Sequence, residues 1–317
     1  MKKLLGIVLI LLIIVSCHDD KQLNPDIAAI PVNIEIDRFD ITFSKITPKG
    51  LPSLKQTYPY LFSTRYDDAY WEQKIKDTLQ KEVEEEVFKV FLDINKTQED
   101  LELLFKHIKY YFPQATVPKT IAVATDVDYR NKVILADSLL FLSLSTYLGE
   151  DHHFYGGIPK FYTKNHREEQ IDVDVAMAFA KTQTPRPQIS TFLEQIVYEG
   201  KQLYLMELFL SQKATNEIFS YTPEEYSFVK ENEINMWEYF VSSKILFSTD
   251  KKLVARFIDP APFSKFYLEF DNETPGRIGR YMGYKIVASY MSNNDVPLKN
   301  MLLLDGETIF NNAKYKP

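Results

Sequence analysis

Residues 195–204 read Gln-Ile-Val-Tyr-Glu-Gly-Lys-Gln-Leu-Tyr and lie in the middle of a predicted helix over residues 187–211. On both sides of this stretch the apolar residues keep a helical spacing. The same pattern predicts further helices, and these cover residues 67–91, 101–112, 168–181, 223–247 (interrupted near Asn232) and 276–292. The chain is therefore expected to be mainly helical.

Three shorter segments have the pattern of strands. Residues 34–41 alternate apolar and polar side chains, whereas residues 120–127 and 133–145 are apolar runs joined across Asp128-Tyr-Arg-Asn131. Such a short connection favours antiparallel pairing. We predict a small antiparallel or mixed sheet, and hence a mainly helical α+β fold.

The stretch around Tyr198 has the outline of the zinc-peptidase motif HExxH with both metal ligands replaced. Tyr198 and Gln202 occupy the two histidine positions, and Glu199 keeps the position of the general base. A phenol and a neutral amide bind zinc poorly. We expect a zincin-like core without a metal ion or cofactor, in which Tyr198, Glu199 and Gln202 line a groove. The alternative is a buried helix whose Glu199 simply meets a cation.

Two other segments could carry a site. Asp151, His152, His153 and His166 lie in or beside an irregular loop, but nothing in the sequence brings their side chains onto one ion. Residues 274–287 combine a capping Thr274, Pro275 at the first helical position, and Gly276, Gly279 and Gly283 on one helix face. Glycines at those positions predict a helix with a close neighbour.

Charge and motifs exclude several classes of function. A net charge of −7 without a clustered basic stripe argues against binding nucleic acid. The chain contains no G-x-S-x-G nucleophile motif and no Walker phosphate loop. Its single cysteine also rules out an internal disulfide, so the fold must depend on core burial.

That cysteine stands at the end of a predicted signal peptide. Lys2 and Lys3 precede an apolar run over residues 4–15, which is followed by Ser16 and Cys17. Twelve residues cover about 18 Å as a helix, too short for a membrane core of about 30 Å. We predict a signal peptide over residues 1–16, a lipidated tether over residues 17–33 anchored through acyl chains such as palmitate on Cys17, and one globular domain over residues 34–317.

The order of several short motifs resembles the gliding motility lipoprotein GldB family of Bacteroidetes. These motifs cover most of the chain and comprise the lipobox, Tyr198-Glu-Gly-Lys-Gln-Leu-Tyr204, Asn232-Glu-Ile-Asn-Met-Trp237, Pro260-Ala-Pro-Phe263, Pro275-Gly-Arg-Ile-Gly279, Gly283-Tyr-Lys-Ile-Val287 and Lys314-Tyr-Lys-Pro317. The resemblance implies an envelope lipoprotein required for gliding and linked to the machinery that secretes adhesins. It implies no known reaction.

We therefore expect a periplasm-facing binding or assembly factor, held on the membrane through Cys17 and contacting protein partners. Its groove would accept an extended peptide, with the aromatic loop over residues 147–162 beside it. Two alternatives remain open. One is a metal-dependent hydrolase that uses Glu199 and Glu233, and the other is a glycan-binding lipoprotein that uses its many aromatic side chains.

Overall fold

A computed structural model describes residues 23–188, 190–268 and 271–317. Its sheet has four strands in the order β1-β2-β4-β3. The strands are β1 (Ile36–Arg38), β2 (Lys119–Val123), β3 (Val133–Ala136) and β4 (Leu139–Ser143). β2 pairs in parallel with β1 and with β4, and only β3 and β4 are antiparallel. The sheet is therefore mixed, within the predicted α+β class.

The strand predicted over residues 133–145 is in fact a hairpin. Asp137 turns the chain with φ 50°, a left-handed conformation that Asp tolerates better than most residues. β2, which was expected to pair with this segment across the connection at 128–131, instead lies beside β4 in parallel. The antiparallel prediction was wrong for β2 because strand partners are chosen by packing between distant segments rather than by the intervening turn.

The helices surround this sheet. They are α1 (Pro25–Ala28), α2 (Phe39–Ser44), α3 (Leu51–Thr57), α4 (Asp68–Lys76), α5 (Thr78–Val90), α6 (Asn95–Tyr111), α7 (Lys160–Thr163), α8 (Ile171–Gln183), α9 (Phe192–Phe209), α10 (Thr215–Ile218), α11 (Pro223–Glu231), α12 (Glu233–Ser242), α13 (Lys252–Phe257), α14 (Ile278–Asn293), α15 (Leu298–Leu303) and α16 (Gly306–Ala313). The helix predicted over 67–91 is split at Asp77, whose side chain caps α5 by accepting from the Leu79 N–H.

The sheet separates two apolar layers, because alternate side chains of a strand point to opposite faces. Ala122, Leu140 and Leu142 belong to the main core, which includes most buried residues of the helices from α5 onward. Ile121 and Val123 face a smaller cluster that includes side chains from α2 and α3. The two layers cover both faces of the sheet.

The crossing of α9 and α14 lies in the main core and depends on glycine. A Cβ on Gly283 would overlap the Ile196 carbonyl oxygen, and a Cβ on Gly200 would overlap the backbone of Gly283. The close neighbour predicted for this glycine face is confirmed. α14 begins later than the sequence indicated, at Ile278, because Arg277 adopts a left-handed conformation with φ 65° and Thr274 is buried ahead of the helix.

The N-terminal anchor lies outside the described residues, which begin at Leu23; these exclude Cys17 and the predicted signal peptide. Within the segment assigned to the tether, α1 buries Ile27 and packs on α6, where Lys106 donates to the Ala28 carbonyl at 3.2 Å. In the described part of the chain, every helix is too short or too polar to cross a bilayer.

Candidate functional site

Helix α9 carries the three residues predicted to line a groove. Thr191 caps it by accepting from the Glu194 N–H, and its apolar side chains sink into the core between α8 and α14. Gln202 is fully buried; its Nε2 donates to the Tyr198 carbonyl at 3.3 Å, and its Oε1 has no partner among the described residues. Gln202 therefore sits beneath the surface that a ligand would touch.

Glu199 forms an ion pair across the helix crossing. Its Oε2 accepts from Nε of Arg280 on α14 at 2.9 Å. The Arg280 side chain is 4% exposed and that of Glu199 is 19% exposed, so the pair is largely shielded from water. A charge-assisted bond in such surroundings is strong. Glu199 thus meets a cation, as the alternative interpretation of the motif expected.

Tyr198 lines a cleft of about 370 Å³ between α9 and the C-terminal segment. Residues 185–188 and 302–306 form its other walls, together with Glu194 and Lys201. Lys201 donates to the Leu302 carbonyl at 2.9 Å, and burial lowers its pKa to about 8. We call this space the Tyr198 cleft. No residue of the sheet or of the aromatic loop over 147–162 lines it.

Glu194 fixes the floor of the Tyr198 cleft. Its carboxylate accepts from the N–H of Gly306 at 2.9 and 2.8 Å and from that of Glu307 at 3.2 Å, at the start of α16. A carboxylate at the N-terminus of a helix is favoured by the helix dipole and by the free N–H groups there. The floor is therefore held in place on both sides, by Glu194 and by Lys201.

The other acids and histidines that the sequence offered are dispersed. His152 contacts Glu86 at 3.3 Å, whereas His166 is buried elsewhere against Tyr155. Glu233 accepts from the hydroxyl groups of Tyr281 at 2.8 Å and Tyr315 at 2.7 Å. Among the described residues, three or more potential metal ligands nowhere gather into one cluster.

A second, smaller cavity of about 150 Å³ lies at the N-terminal end of α14. Lys132, Lys164 and Arg277 bring positive charge to its walls, alongside His166 and the carboxylate of Asp174. Lys132 pairs with Asp174, and Lys164 pairs with Glu225. We call it the Arg277 cavity.

Comparison with known protein families shows which family the chain belongs to. The family described as gliding motility protein GldB matches residues 20–317, nearly the whole chain. The chain belongs to the GldB family. Membership makes it a gliding motility lipoprotein of the cell envelope, as the motif order had indicated. Neither the curated proteins nor the solved structures contain a match.

The Arg277 cavity of this GldB family member was missed by reasoning from the sequence. Arg277 was noted only within a glycine-containing helix start, and His166 only as a loop histidine. The cavity is assembled from six short segments, at residues 129–132, 161–166, 174, 220–221, 260–261 and 276–277. No local pattern indicated it, because Gly276 and Arg277 were assigned to the helix predicted over residues 276–292.

Proposed function

We propose that this GldB family member is a non-catalytic binding factor that supports gliding together with the adhesin secretion machinery. Lipid on Cys17 would hold it in the membrane with its domain facing the periplasm. The observation that carries the proposal is the ion pair between Glu199 and Arg280. In this ion pair Arg280 binds Glu199, the residue at the general-base position of the peptidase-like motif.

The ligand chemistry supports the same proposal. A general base must reach the water that it activates, and in HExxH enzymes that water is held by zinc. In this chain, Tyr198 stands at the first zinc-ligand position of the motif and lines the Tyr198 cleft. Gln202 stands at the second and is fully buried. Descent from a zincin remains a hypothesis, and the hydrolase alternative would have to free both Glu199 and Glu233 from their partners.

We place the partner site in the Tyr198 cleft. Its volume and its mixed lining suit a few residues of an extended peptide, with Tyr198 as an amphipathic contact surface. Residues 185–188, which form one wall, contain two prolines and lie outside any helix or strand. We therefore assign peptide binding to this cleft rather than to a groove beside the aromatic loop over residues 147–162, which the sequence suggested.

Substitution of Tyr198 by Ala tests this placement. In cells that make the full-length lipoprotein, we expect the variant to lose gliding and to recover less partner protein after crosslinking and purification in detergent. Tyr110→Ala is the matched control, because Tyr110 is an exposed tyrosine on α6 that lies outside the Tyr198 cleft. Normal gliding and normal partner recovery with Tyr198→Ala would refute the assignment, and zinc at one equivalent per purified chain would favour the hydrolase.

The anchor has its own test. Cys17→Ser should abolish incorporation of labelled palmitate and shift the protein from the membrane fraction to the soluble fraction, because the acyl chains supply the membrane affinity. A serine variant that remains in the membrane fraction would disprove lipid anchoring through Cys17.

One observation favours glycan binding as a second candidate. Tyr66 and Tyr70 are 47% and 40% exposed, and their rings stack with centroids 4.2 Å apart at an interplanar angle of 17°. Trp71 stands edge-on to Tyr70 at 5.1 Å. Exposed aromatic faces can stack on sugar rings. Tyr70→Ala should then reduce retention on immobilised envelope polysaccharide while Tyr198→Ala does not. Equal retention of the two variants would exclude Tyr66 and Tyr70 as a sugar-binding surface.

A further inference from the structure

We propose that the Arg277 cavity binds a small oxyanion, the carboxylate or phosphate group of a ligand, through Arg277, His166 and Lys164. This site lies apart from the Tyr198 cleft, and the inference does not depend on the proposed function. It rests on the unpaired charge of Arg277, the buried Nδ1 of His166 without a partner among the described residues, the backbone geometry at Gly276 and Arg277, and the size of the cavity.

Arg277 is the cation in the cavity wall that has no carboxylate partner among the described residues. Its Nε donates to the Ile258 carbonyl oxygen at 3.2 Å, a neutral acceptor. Burial, and then the neighbouring Arg280, lower the pKa of Arg277 to about 9, so the guanidinium is charged at neutral pH. The side chain is partly buried, and a partly buried cation without a counter-ion is costly, so an anion in the cavity would offset part of that cost.

The buried ring of His166 has a nitrogen atom without a hydrogen-bond partner among the described residues. It is 1% exposed, and its Nδ1 has no hydrogen-bond partner in the described part of the chain. Burial, followed by the charge of Lys132, lowers its pKa to about 4, although Asp174 acts in the opposite direction. The ring is therefore neutral at pH 7 and can donate one N–H to an oxyanion. Buried polar atoms of this kind are normally paired.

The remaining charges around the cavity leave it net positive. The carboxylate of Asp174 already accepts from the Tyr147 hydroxyl at 2.8 Å and pairs with Lys132. Lys164 pairs with Glu225 and also lies over the Tyr221 ring, 5.9 Å from its centroid. An incoming oxyanion would thus meet Arg277 as a free cation, with Lys164 as a second one shared with Glu225.

Backbone geometry places Arg277 at this point. A Cβ on Gly276 would overlap the Ala261 carbonyl oxygen, so the chain is pressed against a neighbouring segment just before α14. Arg277 follows with φ 65°, a conformation that costs a non-glycine residue about 1 kcal/mol or more. The side chain is thereby held at the start of a 16-residue helix, where the helix dipole also favours an anion.

The size of the cavity limits the ligand. A volume of about 150 Å³ accommodates one carboxylate or phosphate group but not a peptide segment or a sugar chain. Tyr129 and Tyr162 stand at its side with their ring centroids 4.8 Å apart. A larger ligand would place only its anionic group inside, and the remainder would lie against these rings.

The test is titration of the purified full-length lipoprotein in detergent with acetate and with inorganic phosphate, at constant ionic strength set by chloride. Isothermal calorimetry should give saturable binding of at least one probe. Arg277→Gln should weaken it at least tenfold, Lys164→Gln several-fold, and the exposed Arg65→Gln not at all. Acetate binding alone assigns a carboxylate ligand, and phosphate binding alone assigns a phosphate ligand.

Three outcomes would overturn the proposal. The first is that neither probe binds up to about 10 mM, an affinity too weak to matter. The second is that Arg277→Gln binds as the unchanged protein does. The third is that binding leaves the ring resonances of His166 unshifted in NMR spectra. If Arg277→Gln does not fold, Lys164→Gln alone provides the comparison, because it removes the second cation of the cavity while Arg277 stays in place; unchanged binding in that variant would then overturn the proposal.

Discussion

Helix α14 contributes to two very different environments. At its crossing with α9, Gly283 allows backbone contact and Arg280 is paired with Glu199. At its N-terminal end, one turn earlier, Arg277 has no carboxylate partner among the described residues and the buried Nδ1 of His166 is unpaired. At the crossing, the charges of Glu199 and Arg280 pair and join two helices. In the cavity, Arg277 and the Nδ1 of His166 have no such partner among the described residues. Charged residues on a single helix can therefore serve stability at one turn and ligand binding at the next.

The largest effect is expected from Gly283→Ala. The added Cβ would overlap the Ile196 carbonyl oxygen, which belongs to helix backbone and cannot simply rotate away. Overpacking at such a site typically costs about 3 kcal/mol or more, so urea unfolding should show a severely destabilised or unfolded protein. Gly157→Ala is the control, since a Cβ there meets nothing within 4 Å. A loss below about 1 kcal/mol would show that the crossing adjusts easily.

Glu199→Gln should have the next largest effect. It leaves the buried Arg280 guanidinium without its counter-charge, which we expect to cost about 3 kcal/mol in the free energy of unfolding. The same change at Glu72, in an exposed pair with Lys76, should cost less than about 0.5 kcal/mol. Equal losses in the two variants would mean that the Glu199 pair contributes no more than a surface contact.

His166 should make the cavity sensitive to acid. Because its pKa is about 4 in the folded protein and 6.5 unfolded, the unfolded chain takes up a proton first as pH falls. Stability is complete above pH 6.5 and is lost between 6.5 and 4, by about 2 kcal/mol at pH 5. His166→Gln should remove this component from the pH dependence of urea unfolding. Identical pH profiles of the two proteins would contradict the shift.

Arg277→Gly should have the smallest effect, and of opposite sign. Glycine adopts a positive φ without strain and removes a partly buried cation, which should stabilise the ligand-free protein by up to about 1 kcal/mol while abolishing oxyanion binding. Thermal unfolding in buffers without phosphate or carboxylate measures it. A loss of stability would instead make Arg277 part of the structural framework, like Arg280.

The sequence predicted the helices of nine or more residues, because their signal is local, and missed the shorter ones. The apolar spacing located α8, α9 and the α11–α12 pair to within a few residues, and the glycine spacing located the crossing. Asp77 broke one predicted helix because its side chain offers the backbone an N-cap, a competition that apolar periodicity does not register.

The pairing of strands and the cavity were beyond reach for a different reason. β2 lies beside β4, whose paired residues come 20 positions later in the chain, and its short apolar run carries no preference for one partner or orientation. Within the α9 motif, the residue types suggested both a groove and a buried pair, and only the position of Arg280 shows that Glu199 is engaged. The Arg277 cavity draws its walls from six separate segments, so local patterns could not reveal it.

The contact of Glu194 with the start of α16 also bears on how the chain folds. It joins residues 112 positions apart, so it closes a very long loop. Such closure is entropically slow, and the contact forms only once almost the entire chain is present. Until then, the carboxylate of Glu194 has no amides to accept from, and the wall of α9 facing α16 remains wet. A chain that ends before Gly306 would therefore leave the Glu194 carboxylate without these backbone donors.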